Sequence, residues 1–178
     1  KTVQILDELE IEKPCIDAND ECYNTEWSQE LKLNESLEEY YKAWLILPIA
    51  DKIINGFDFP ASNYIFNMSV GYDLKGIKSK PVDDFINNML DAQNSLLFKG
   101  LQNELLDLFA NQEFKQLLVT SFKLTEDNIT SFIKIIKNIP MQISNSITLS
   151  TMHGCPPDEI EAIATYLLRK KKINTFVK

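Results

Sequence analysis

Residues 146–178 read SITLSTMHGCPPDEIEAIATYLLRKKKINTFVK, and this stretch decides the fold. Ser146–Leu149 is short and contains the β-branched residues Ile147 and Thr148, which predicts a strand. Pro156–Glu159 is typical of a helix start, because proline needs no amide partner there and acids favour the positive end of the helix dipole. Asn174–Val177 predicts the next strand. The stretch therefore predicts a β-α-β unit.

The predicted helix between these strands has apolar residues at helical spacing, which predicts one buried stripe: Ile160, Ile163, Ala164, Leu167 and Leu168. The basic run Arg169–Lys172 closes it with the charge that a helix C-terminus favours. Tyr64–Val70 and Pro81–Asn94 predict a second strand and helix, with the strand buried on both faces. Such alternation indicates an α/β fold with a parallel sheet.

A helix-rich insertion is predicted at about 81–138. Within it, Asn94–Val119 keeps helical spacing and predicts one continuous helix, and Thr125 is placed to cap another that ends near Asn138.

A further helix is predicted before the first of these strands. Ser36 and Glu39 have the spacing of a capping box, which predicts the helix start. Pro48 is expected to kink or split this helix, and Gly56 to end it.

Composition excludes several classes of function. The chain has 178 residues and a formal net charge of -8, which argues against a nucleic-acid partner and against a polybasic membrane surface. Cys15, Cys22 and Cys155 are not spaced as metal ligands, so they predict free thiols in a reducing cytoplasm and no metal site. Because the chain begins with Lys1 and ends inside a predicted strand, we expect residues 1–178 to be a single segment cut from a larger protein.

Candidate site residues follow the two predicted strands, because active sites of parallel α/β proteins lie at the carboxyl ends of strands. Asn67 and Ser69 alternate with apolar neighbours and should share one face, either as ligand contacts or as a hydrogen-bonded polar pair in the core. His153 is either a cofactor contact or proton donor, or a residue that satisfies loop backbone groups. Cys155 is either a thiolate activated by the following helix or a small residue in a tight turn.

Three blocks resemble a known family: PCIDANDECYNTEWSQELKL at 14–33, YIFNMSVGYDLKGI at 64–77 and TLSTMHGCPPDEIEAIATYLL at 148–168. They are similar to the N-terminal part of selenate reductase iron–sulfur/flavoprotein subunits, which are labelled glutamate-synthase-like oxidoreductases. More distantly, the order of elements resembles the flavin barrel of dihydropyrimidine and dihydroorotate dehydrogenases. The resemblance implies part of a TIM (β/α)8 barrel of the type found in FMN-linked oxidoreductases.

The resemblance also implies cofactors and partners. FMN would bind in this domain, and FAD, NADPH and 4Fe-4S clusters would be held by the rest of the protein. The partners would be the other domains of the same chain and a molybdenum enzyme or another redox subunit, with no nucleic acid and no membrane.

The residues implied to form a ligand pocket are neutral and polar: Asn67, Ser69, Thr148, Ser150 and His153. Two positions depart from the flavin barrels. Thr148 stands where the second strand carries a lysine that reaches the flavin, and Val70-Gly71-Tyr72 stands where a loop carries a catalytic cysteine. No catalytic residue is therefore assigned. Two functions remain: the barrel segment of an NADPH-dependent flavin/iron–sulfur oxidoreductase, or a non-catalytic scaffold that docks partners on a degenerate barrel.

Overall fold

The computed structural model describes residues 32–58, 64–150 and 156–178, which fall into two compact units. Unit 1 contains residues 32–39, 65–92, 142–150 and 156–178. Unit 2 contains the remaining described residues, 40–58, 64 and 93–141.

The described residues form seven α-helices, a π-helical turn and three strands. In chain order these are α1 Leu33–Asn55, β1 Phe66–Val70, α2 Leu74–Ile77, α3 Lys80–Leu90, α4 Leu96–Ala110, α5 Gln112–Phe122, α6 Glu126–Lys137, β2 Ser144–Leu149, α7 Pro157–Thr165, the π-helical turn Tyr166–Lys171, and β3 Asn174–Val177.

The three strands make one parallel sheet in unit 1, in the order β1-β2-β3. The predicted α/β class with a parallel sheet is confirmed. Neighbours in this sheet are also successive strands of the chain, which is how a β/α barrel winds, whereas a doubly wound sheet reverses its order. The sheet therefore fits part of a barrel.

One face of the sheet is buried and the other is polar. Met68 and Val70 of β1 and Ile147 and Leu149 of β2 are buried, and burying each such side chain stabilises by about 1.5–3 kcal/mol. The intervening side chains of β1 are exposed. The prediction that this strand is buried on both faces is therefore wrong, because its apolar run ends where the period-two alternation begins.

A polar latch joins α3 to the π-helical turn within unit 1. Lys171 Nζ forms an ion pair with Asp83 Oδ1, and Tyr166 donates to the same oxygen at 3.2 Å. Asn87 donates to Asp83 Oδ2 at 2.9 Å and accepts from Lys171 Nζ at 2.8 Å. Partial burial alone would raise the pKa of Asp83, but the Lys171 ammonium and the other donors hold that pKa below its usual value. Burial and the Asp83 charge raise the pKa of Tyr166.

The π-helical turn changes which leucine is buried. Leu167 is fully buried, whereas Leu168 is 51% exposed. The prediction of a buried Leu168 is wrong, because it assumed α-helical spacing and a π-helical turn contains an extra residue. The turn ends at Lys172, whose φ of 56° places it in the left-handed region that terminates helices.

Unit 2 is helical and has an aromatic core. Phe132 is fully buried, and its ring lies 5.0 Å from that of Phe57 and 5.5 Å from that of Phe109. Trp44 Nε1 donates to the carbonyl oxygen of Pro140 at 2.8 Å, so this buried indole is also satisfied. Burial and the nearby Asp51 charge raise the pKa of Tyr64 to about 12.

Two of the helix predictions in the insertion differ from the structure. The single helix predicted at 94–119 is wrong, because Asn111 interrupts it: its side chain accepts from the Phe114 amide at 3.0 Å and caps a new helix. The helix capped by Thr125 is confirmed, with Asn128 completing a capping box. The helix-rich insertion itself is confirmed as α3 to α6.

The start of α1 also differs from the prediction. Ser36 lies inside the first turn, and its buried hydroxyl has no hydrogen-bond partner among the described residues, so it is not the cap. Glu35 instead accepts from the Lys32 amide at 2.7 Å. The predicted stop is confirmed, since α1 ends just before Gly56, whose φ is 87°.

Pro48 does not split α1, which continues through it to Asn55. Trp44, Leu45 and Ile49 are buried on either side of the proline. Their burial offsets the cost of an interior proline, which is about 3 kcal/mol.

We expect Lys171→Met to accelerate amide hydrogen exchange in α3 of the intact protein by roughly 10-fold or more. Asp83 would stay partly buried without its ammonium partner, and a hydrogen bond to a charged group contributes about 1.5–3 kcal/mol. Mass spectrometry of peptides covering 80–90 measures the effect. Lys80→Met is the matched control, because Lys80 pairs with Asp84 on the exposed side of the same helix. Equal acceleration in the two variants would contradict the latch.

The latch also predicts a pH dependence. Because the folded pKa of Asp83 lies below its unfolded value, its contribution to stability is complete above about pH 4 and is lost as the pH falls through the lowered folded pKa. Exchange in α3, corrected for intrinsic rates, should therefore accelerate on acidification. Asp83→Asn should remove this acid-dependent step. A step of unchanged size in that variant would assign it to another group.

We expect Phe132→Ala to destabilise unit 2 by about 3–5 kcal/mol, the usual cost of truncating a buried phenylalanine. Hydrogen exchange in α4 and α6 measures the loss. Leu117→Ala is the control, because Leu117 is an exposed apolar side chain in the same unit. Comparable losses in both variants would show that Phe132 is not central to this core.

Candidate functional site

The polar face of the sheet in unit 1 is the candidate site. Period-two alternation places Asn67 and Ser69 of β1 on this face, with Ser146 and Thr148 of β2 beside them. In the strand register Asn67 pairs with Ser146, and Ser69 pairs with Thr148. The neighbouring pairs, Met68 with Ile147 and Val70 with Leu149, form the buried face. The sheet thus separates an apolar packing face from a face of amides and hydroxyls.

A chain of side-chain hydrogen bonds crosses this face. Ser146 Oγ donates to Asn67 Oδ1 at 2.7 Å, and Asn67 Nδ2 donates to Thr148 Oγ1 at 2.8 Å. The amide is held at both ends, so its orientation is fixed relative to the two hydroxyls. Ser69 has no side-chain hydrogen bond among the described residues, so its hydroxyl is available on the same face.

The carboxyl end of β3 adds an aromatic ring and a cation to this face. Phe176 pairs with Thr148 in the strand register, and its side chain is 57% exposed. The Lys178 amide donates to the Leu149 carbonyl oxygen at 2.9 Å, so the parallel ladder continues one residue beyond β3. Alternation from Phe176 then places the Lys178 side chain on the polar face, next to Ser150.

The loops at the carboxyl ends of β1 and β2 are joined by a carboxylate. Glu159, in the first turn of α7, accepts from the Leu74 amide at 2.8 Å. Asp73 caps α2 by accepting from the Gly76 amide at 2.6 Å. Both carboxylates therefore satisfy backbone donors, and Glu159 also holds the loop after β1 against the helix that follows β2.

The N-terminus of α7 is unsuited to a phosphate group. Helix N-termini bind anions through free amides and the positive end of the dipole. Here Pro156 and Pro157 have no amide hydrogen, and Asp158 and Glu159 place negative charge in the first turn. An anionic group would be repelled at this position.

A second, open groove of about 750 Å³ lies beside α2 in unit 1. Its charged lining residues are already engaged in part: Asp73 and Glu159 accept from backbone amides, and Lys78 Nζ lies 4.9 Å from the centre of the Tyr166 ring. Because Asp73, Glu159 and Lys78 already make contacts within the fold, the groove has fewer side chains available to bind a ligand than the polar sheet face has.

The structure brings together four of the five residues expected to line a pocket: Asn67, Ser69, Thr148 and Ser150. The Ser150 amide donates to the Val70 carbonyl oxygen at 2.9 Å, which continues the ladder, so alternation sets its side chain on the polar face. The fifth, His153, lies outside the described residues, as does Cys155.

Sequence reasoning missed three residues of this face: Ser146, Phe176 and Lys178. The signal was present in the alternation of NTFVK, where every second residue from Asn174 falls on one side. It could be used only with the register that pairs this strand with β2.

The part of the chain that the structure describes holds neither a cluster of metal-ligating side chains nor a membrane-spanning helix. Outside 1–31, 59–63 and 151–155, no three His, Cys, Asp or Glu side chains come together as metal ligands. Over the same described ranges, no helix combines the length and apolar character needed to cross a membrane.

Comparison with known proteins places the chain in a family. The model of the family described as "Oxidoreductase YgfK, N-terminal TIM-barrel domain" matches residues 1–178. The oxidoreductase YgfK proteins of Escherichia coli strain K12 and of Escherichia coli O157:H7 are each 47% identical to the chain over 178 residues. The match covers 100% of the chain and 17% of each relative.

No solved structure matches the chain. The family model covers the whole chain, and the sheet in unit 1 has the parallel, sequential winding of a partial barrel. The chain belongs to the family of YgfK N-terminal TIM-barrel domains.

Proposed function

We propose that this chain is the flavin-binding barrel segment of a multidomain NADPH-dependent oxidoreductase. FMN would bind against the polar sheet face, and electrons would pass through FAD and 4Fe-4S centres held by other domains. The observation that carries this proposal is the meeting of amide, hydroxyl, aromatic and cationic side chains at the carboxyl ends of adjacent parallel strands.

The residues of this face fit a flavin ring better than a flavin phosphate. A flavin ring is planar and carries carbonyl acceptors along one edge, which suits the hydroxyls of Ser69 and Thr148 and the ring of Phe176. Lys178 supplies a cation on the strand next to Thr148. On this proposal Lys178, beside Ser150 on the neighbouring strand, would supply the positive charge of the lysine that Thr148 replaces. The phosphate group would need donors other than the N-terminus of α7.

The electron donor, the substrate class and the redox partner are also part of this proposal. Resemblance to selenate reductase and glutamate-synthase-like proteins supports transfer of electrons from NADPH to a small oxidised substrate, with a molybdenum enzyme or another redox subunit as partner. The relatives named above support an oxidoreductase, and the match covers 17% of their length. A cytoplasmic location is proposed with it.

A scaffold without a cofactor is the second candidate. The observation in its favour is that Asn67 is already satisfied by Ser146 and Thr148. A polar barrel interior needs such internal bonds even when no ligand binds. In this reading the face would only support the fold and the docking of other domains.

We expect the intact protein to release FMN in addition to FAD when it is denatured, and Lys178→Met to reduce the FMN content while leaving FAD unchanged. The lysine would attract the polar edge of the bound flavin, so its loss weakens only the barrel site. Chromatography with fluorescence detection separates and quantifies the two flavins.

Lys170→Met is the matched control, because Lys170 is an exposed lysine on the π-helical turn. It should leave both flavins at the wild-type level. Release of FAD without FMN from protein that also fails to bind added FMN would exclude the flavin barrel and favour the scaffold.

A further inference from the structure

We infer that the hydrogen-bond chain from Ser146 through Asn67 makes Thr148 a donor, so that the site selects an uncharged planar ring with a carbonyl acceptor, stacked on Phe176. This inference rests on the proposed function and specifies how the same site recognises its ligand. It concerns which atoms the ligand must present, which the flavin assignment alone does not fix.

The hydrogen bonds that join Ser146, Asn67 and Thr148 run in one direction. Asn67 Oδ1 accepts from Ser146 Oγ at 2.7 Å, so the amide nitrogen of Asn67 is turned toward Thr148, to which it donates at 2.8 Å. An amide has one end that accepts and one that donates. Because the Asn67 amide oxygen is bonded to Ser146, the Asn67 amide nitrogen is the atom that faces Thr148, and Thr148 accepts its hydrogen bond.

The hydroxyl hydrogen of Thr148 remains available for a ligand. Its hydroxyl oxygen already accepts the Asn67 hydrogen, and among the described residues this is its only side-chain hydrogen bond. The hydroxyl hydrogen then points away from Asn67 and can be donated to a ligand. Hydrogen bonds in a chain polarise one another, so a hydroxyl that accepts from an amide is a better donor.

An aromatic ring on β3 lies beside Thr148. Phe176 is its register partner and presents an exposed ring on the same face. Neighbouring strands lie about 4.7–4.9 Å apart, so a flat ligand that contacts one of these side chains also reaches the other. Offset stacking on an aromatic ring favours a planar ligand.

The polar sheet face around Thr148 has no charged side chain on β1 or β2. The polar residues of this face on β1 and β2 are neutral: Asn67, Ser69, Ser146, Thr148 and Ser150. Burying an anion against neutral groups is costly unless a cation pairs with it. The part of the ligand that lies over Thr148 and Phe176 is therefore uncharged, and any negative charge on the ligand belongs near Lys178.

The test measures binding of FMN, and of lumichrome as a ring without ribityl or phosphate, to the intact protein stripped of its flavins. Thr148→Val removes the donor at nearly constant volume and should weaken both ligands by roughly 10-fold, the value of about one hydrogen bond. Thr148→Ser keeps the hydroxyl and should bind within a few-fold of wild type.

Asn67→Asp tests the direction of the chain. A carboxylate only accepts, so Thr148 would donate to it and lose its hydrogen for the ligand. Ligand affinity should fall about as far as in Thr148→Val, and the double variant should fall little further, because both changes remove the same donor. Additive losses would overturn the inference.

Phe176→Tyr tests the stacking contact with little change in shape. A tyrosine ring against a flavin quenches its emission by electron transfer, so fluorescence of the bound ligand should fall below that in wild type. Unchanged emission at saturating ligand would overturn the stacking part.

The outcomes separate the inference from the proposed function. If wild type binds FMN and lumichrome and the Thr148→Val and Asn67→Asp variants bind equally well, only the inference fails. If wild type binds lumichrome through Thr148 but not FMN, the FMN assignment fails and the inference stands. If wild type binds neither ligand, both fail. Hydrogen exchange in β2 shows whether each variant keeps its fold, and weaker binding accompanied by a general loss of protection counts against the inference.

Discussion

The parallel pairing of β1 with β2 is the constraint on which the rest of unit 1 depends. Because side chains alternate along a strand, burying Met68 and Ile147 leaves no freedom in where Asn67 and Thr148 point. A slip of one residue would bury the amide and expose the methionine. The packing face therefore sets the geometry of the polar face, and the same hydrophobic contacts that stabilise the sheet align the hydrogen-bond chain.

Much of this fold could be predicted from local pattern. The β-α-β unit at 146–178, the parallel class and the helical insertion each follow from periodicity and capping chemistry, which act over a few residues. Two of the errors have a common cause. Asn111 could be read either as a residue within a helix or as a cap, and the outcome depended on tertiary packing around Phe109 and Phe114. Pro48 was overridden in the same way by the burial of its neighbours.

The candidate site was predictable in part for the same reason. The alternation in FNMSV places Asn67 and Ser69 on one face without knowledge of any other strand. Phe176 and Lys178 contribute to the site only because of the residues of β2 that lie opposite them. The register between two distant segments cannot be predicted from the sequence of either segment alone. The hydrogen-bond chain needs both the register and the side-chain rotamers, so it could be known only from the structure.

The π-helical turn at Tyr166–Lys171 changes the direction in which side chains point between α7 and β3. A π-helical turn contains more residues than an α-helical turn, so the side chains after it are rotated relative to those before it. The helix before it holds Ile163 in the core and the turn brings Lys171 to Asp83, although the two stretches are out of helical phase. The turn places Leu168 at the surface, so the change of helical phase is confined to residues 166–171 and β3 begins at Asn174 as a regular strand.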